Sequence, residues 1–125
     1  MSVFLDTSVL VPVFLAEHPH HAASIRLFAR CEPTFASCAS HSLAEVYSTL
    51  TRIPAPHRAS PAQAIKCLED IERRFRLISL DGRACLAAIM GAAANRITGG
   101  TIYDVCLALN AIWGERPCGA PSEGA

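Results

Sequence analysis

Charge is scarce in this chain of 125 residues: Asp, Glu, Lys and Arg make up 18% of it, and 11 basic residues balance 11 acidic ones. A formal net charge of zero gives no overall pull on a polyanion. Any contact with nucleic acid must therefore come from a local basic patch or from bound cations. A Cys-x-x-Cys pair is also missing. Cys31, Cys38, Cys67, Cys85, Cys106 and Cys118 lie mostly in apolar stretches and are read as reduced thiols acting as small hydrophobes. No Lys or Arg precedes Asp6, and that acid and Pro12 interrupt the apolar stretch 3–16, which does not fit a secretory signal. No segment reaches the roughly 18 consecutive apolar residues of a membrane span. A cytoplasmic protein is expected.

What is present is apolar. The hydrophobic share is 51%, above that of a typical soluble domain. The length suits one domain with a substantial core, and the surplus points to a homodimer or a tight partner. Val3 to Leu5 reads as a short buried strand, followed by a helix from about Val9 past Pro12. His20 to Arg30 is a second helix, Thr34 to Ala39 a second strand, and about Leu43 to Leu50 a third helix. Pro54 and Pro56 mark a loop, and Ser60-Pro61 opens a helix whose buried stripe is expected at Ala64, Ile65, Leu68 and Ile71. A third strand, Arg76 to Leu80, closes at Asp81-Gly82. An alanine-rich helix, Ala84 to Ala94, then packs closely and ends at Asn95, and a last helix runs from Thr101 to about Ile112. Strands alternating with helices predict an α/β fold with a parallel sheet.

In such sheets ligands gather at the carboxyl ends of the strands. Asp6 ends the first apolar strand there, where an unpaired acid costs free energy. Glu45 and Asp104 open later helices. Three acids drawn from distant segments suit Mg²⁺ or Mn²⁺, which favour oxygen ligands, and so suit phosphodiester hydrolysis. Two of them have a structural explanation as well. Ser42-Leu43-Ala44-Glu45 fits a capping box, and Thr101-Ile102-Tyr103-Asp104 is a looser version of one.

The segments Phe4-Leu5-Asp6-Thr7-Ser8-Val9-Leu10, Ser42-Leu43-Ala44-Glu45-Val46-Tyr47 and Gly100-Thr101-Ile102-Tyr103-Asp104-Val105 occur in this order. Together they resemble a PIN domain, and most closely the VapC-type ribonuclease toxins of bacterial toxin–antitoxin pairs. The resemblance implies a PIN-like α/β/α sandwich and a Mg²⁺- or Mn²⁺-dependent endoribonuclease. It implies Asp6 and Asp104 as principal metal ligands, Glu45 assisting, and Thr7 or Ser8 orienting a carboxylate or phosphate. RNA is the implied substrate, with a cognate antitoxin and a second copy of the chain as partners. The domain is expected over residues 1–112, and a disordered or atypical tail over 113–125. The family's further strand and its fourth acid have no counterpart after Trp113, so a truncated or frame-shifted C-terminus is expected. The alternative function is an inactive remnant that acts only through antitoxin or self association. A haloacid-dehalogenase-type phosphotransferase fits poorly, because its motif needs a second Asp where Ser8 stands and Lys66 lies in mid-helix.

Other residues favour plainer readings. Asp81 reads as a turn or helix cap. Glu69, Asp70, Glu72, Arg73, Arg74 and Arg76 read as a solvated face, with an RNA-backbone role for these arginines, or for Arg52 and Arg58, as the alternative. His18-Pro19-His20-His21 reads as a polar loop, and Tyr103 as core.

Overall fold

The structure, a computed structural model, describes residues 2–100. Its elements are β1 (Val3–Leu5), α1 (Thr7–Val13), α2 (His21–Arg30), β2 (Ala36–Ala39), α3 (Ser40–Arg52), α4 (Pro61–Arg74), β3 (Arg76–Ile78) and α5 (Gly82–Ala94). The expected helix from Thr101, Asp104, Tyr103 and the tail 113–125 lie outside the described residues. Among the described residues no helix is long and apolar enough to cross a membrane.

The strands form one parallel sheet in the order β1-β2-β3, with Leu5 opposite Cys38 and Cys38 opposite Leu77. Central β2 is buried along its whole length, which explains its small residues Ala36, Ser37, Cys38 and Ala39. Leu5, Leu10, Val13, Phe28, Val46, Leu50, Ile71 and Phe75 pack with Ala36 and Cys38 into the core. Phe28 bridges two rings, with centroids 5.7 Å from both Phe14 and Phe75. Arg74 lies over its ring at 5.1 Å and donates to the Phe28 and Ala29 carbonyls. This cation therefore clamps α4 to α2 rather than joining a solvated face. Arg73 does stay on that face, paired with Asp70.

Helix α4 starts as expected: Ser60 and Gln63 exchange reciprocal cap bonds and Pro61 occupies the first position. Its buried stripe is corrected at one residue. Ala64 and Ile71 are buried and Leu68 is partly so, but Ile65 is exposed. One residue on from Ala64 turns a side chain about 100° around the helix, off the core-facing line. Asp81 is the cap of α5, its carboxylate accepting from the Ala84 N–H at 2.8 Å. Ala88 and Ala92 of α5 are buried, whereas Leu86, Ile89 and Met90 face outward. Cys31, Cys38, Cys67 and Cys85 are free thiols.

Candidate active site at the carboxyl edge of the sheet

Parallel pairing sends the chain out of β1 and β2 at the same edge. Asp6 follows β1 directly and takes the N-cap position of α1, where its backbone carbonyl accepts from Val9 and Leu10. Its side chain makes no cap bond. The Ser8 hydroxyl donates to Asp6 Oδ1 instead, at 2.6 Å. A carboxylate at a helix N-terminus is favoured by the helix dipole, so the fold tolerates Asp6 at this strand end.

The neighbouring α3 corrects the sequence expectation. The helix begins at Ser40, three residues earlier than Leu43, immediately after β2 and without a loop. Its N-cap is Ala39, which has no side chain able to cap, and the Ser79 hydroxyl donates to Ser40 Oγ at 2.8 Å at the end of β3. Ser42 is therefore inside the first turn and fully buried, and Glu45 falls in the second turn. The Ser42–Glu45 capping box that the sequence allowed as an alternative does not form. Glu45 is free for another task, and its Oε1 accepts from the Thr7 hydroxyl at 3.0 Å. That bond joins segments 38 residues apart and brings Asp6, Thr7, Ser8 and Glu45 into one place.

His41 is the residue the sequence reading missed. It stands one helical turn before Glu45, with Nε2 3.9 Å from the same Oε1 that Thr7 contacts. The signal was present, since a His four residues before an acid shares its helix face.

Two carboxylates with hydroxyls beside them form an all-oxygen donor set. Mg²⁺ takes one or two protein carboxylates and keeps several waters, so Asp6 and Glu45 fit such an ion. No cluster of three or more His, Cys, Asp or Glu able to hold a metal occurs among the described residues. The histidines at 18–21 serve local structure: His18 Nδ1 accepts from the His20 N–H, and the His21 ring bonds the Pro12 carbonyl. Arg58 bonds the Ile53 carbonyl and Arg52 reaches the Ser48 hydroxyl. A cavity of about 380 Å³ lies at the opposite edge, where Phe14 to His18 meet Ile53, Pro54, Ala55 and His57.

Comparison with known proteins identifies the family. The PIN domain family model matches residues 3–112. The chain belongs to the PIN-domain family. Within it the chain is similar to the VapC proteins of Mycobacterium tuberculosis. It is 37% identical to Ribonuclease VapC27 over 107 residues, covering 86% of this chain and 74% of that protein. It is 35% identical to Ribonuclease VapC40 over 106 residues, covering 85% and 75%. Among solved structures, VapC20 of the same organism, titled a sarcin–ricin loop cleaving toxin, superposes with a TM-score of 0.64 at 19% identity. That match covers 89% of this chain and 78% of VapC20, and it shows that the PIN fold is shared.

Proposed function

We propose that this PIN domain is a Mg²⁺- or Mn²⁺-dependent endoribonuclease, the toxin of a toxin–antitoxin pair, hydrolysing RNA at Asp6, Glu45 and Asp104. The observation that carries the reading is the Thr7–Glu45 hydrogen bond, which draws an acid of α3 to the segment that holds Asp6. Asp104 joins on its motif alone. Asp6 and Asp104 would be the principal ligands of the ion with Glu45 assisting, and a divalent ion supplies charge neutralisation at the scissile phosphate and an attacking water of lowered pKa. The chain's own residues prepare that chemistry. Ser8 fixes one oxygen of Asp6 and Thr7 one oxygen of Glu45, so neither carboxylate has to be ordered when the substrate arrives.

RNA cleavage with Mg²⁺ or Mn²⁺, measured beside Asp6→Asn, Glu45→Gln and Asp104→Asn, tests the proposal. Cleavage that each substitution lowers by 100-fold or more, on the order of a lost catalytic group, is expected. Equal cleavage by all four proteins overturns it, and a chain that binds an antitoxin without cutting is an inactive remnant.

The proposal includes a second copy as partner, supported by the outward Leu86, Ile89 and Met90 of α5. Light scattering on the wild type and Ile89→Glu is expected to show a dimer becoming a monomer. A monomeric wild type removes the dimer from the proposal.

A further inference from the structure

His41 lies at the candidate site, but among the described residues no hydrogen bond holds it and the core does not need it. Its side chain is 79% exposed, in the first turn of α3, while its ring nitrogen stays 3.9 Å from Glu45 Oε1. An imidazole this open has no packing role. At that distance from Glu45 it makes no hydrogen bond, because such contacts require about 3.2 Å or less. The ring is thus kept near the reacting centre with a donor nitrogen still available. The α3 N-terminus beside the ring adds a partial positive charge that favours an anion, set against the Glu45 carboxylate 3.9 Å away. Ser40, just before it, is already engaged with Ser79, which leaves His41 as the exposed ring donor of that turn.

Resting on the ribonuclease reading above, we propose that His41 is a substrate-contact residue: its ring N–H donates to a backbone phosphate of the RNA next to the scissile bond. One carboxylate oxygen, Glu45 Oε1, then has both the Thr7 hydroxyl at 3.0 Å and the His41 ring at 3.9 Å as neighbours. The ring spans from the carboxylate pocket to the strand of RNA passing over it. The contact forms in the ground state and persists through the reaction, so it sets affinity rather than turnover.

Four proteins test this: wild type, His41→Ala, His41→Gln, which keeps an N–H donor, and His41→Phe, which keeps a flat ring without one. Two readouts are needed, binding of a labelled single-stranded RNA in EDTA, where no cleavage occurs, and KM and kcat with Mn²⁺. His41→Ala and His41→Phe are expected to weaken RNA binding and raise KM by about tenfold, the scale of one hydrogen bond to a charged group, with kcat within about twofold. His41→Gln is expected to stay near wild type, and thermal melting of all four should coincide because the side chain is exposed. Unchanged binding and KM in His41→Ala overturn the proposal. Retention by His41→Phe but not by His41→Gln also overturns it, since the ring would then stack on a base. If the wild type binds RNA without cutting it, and His41→Ala loses that binding, the nuclease reading fails while the His41 contact stands. Absence of both binding and cleavage ends both.

Discussion

Single hydroxyls decide much of this site. Thr7→Val keeps the shape of the side chain and removes its bond to Glu45. Orienting partners of this kind are worth about 10- to 100-fold, so a kcat loss of at least about tenfold is expected with the melting temperature nearly unchanged. Thr7→Ser should restore most of it, and full activity in Thr7→Val would show that Glu45 needs no support. Ser42 has the opposite character. Its hydroxyl is buried with no partner among the described residues, because the residue four positions back, Cys38, belongs to β2 and offers no helical carbonyl. Ser42→Ala is expected to gain about 1 kcal/mol in urea unfolding, and a loss of that size would mean the hydroxyl is satisfied. The two acids, Asp6 and Glu45, mark what was legible in the sequence. Asp6 was read as the central acid because an acid breaking an apolar strand is costly. Glu45 was read as a site acid with a cap as its competing explanation, because Ser-x-x-Glu looks the same whether or not the Ser begins the helix. The bond that fixes Glu45 spans 38 positions, which no local pattern records.

At the scale of elements, β1, α2, α4 and β3 were readable within a few residues because each has a local cause: an apolar run, a helical stripe or a cap. Helix α3 was placed late because it has no cap at all, its start being dictated by the end of the strand before it. Helix α5 was read correctly at Asp81 and Asn95, yet the details of its exit were not. Ile97 N–H bonds Ala92 O and Arg96 N–H bonds Ala93 O, a Schellman closure, with Arg96 in the left-handed region at φ 59°. Glycine adopts that conformation without the penalty an L side chain carries, so Arg96→Gly should stabilise the fold by about 1 kcal/mol. A lower urea midpoint in this variant would show that the arginine side chain contributes more than its backbone costs.

For the whole molecule, the centre of the sheet sets a limit in alkali. Cys38 is fully buried in β2, and burial pushes its thiol from 9.0 up to about 12. An unfolded chain releases that proton first, so the contribution of Cys38 to stability is level below pH 9 and falls as pH rises from there toward 12. The fall is about 1.4 kcal/mol per pH unit for one proton. Urea midpoints at rising pH check this, and Cys38→Ala should show a shallower decline even though its cavity lowers stability throughout. Equal slopes would assign the alkaline weakening to other groups. The direct passage from Ala39 of β2 into Ser40 of α3 has a last consequence, for insertions and deletions. With no slack between strand and helix, one residue added or removed at that junction rotates Glu45 by about 100° and carries it away from Thr7. The same change between Ile53 and Ser60, in the loop before α4, leaves the α3 register intact. Chain length is therefore held fixed between β2 and α3 and is free to drift in the loop before α4.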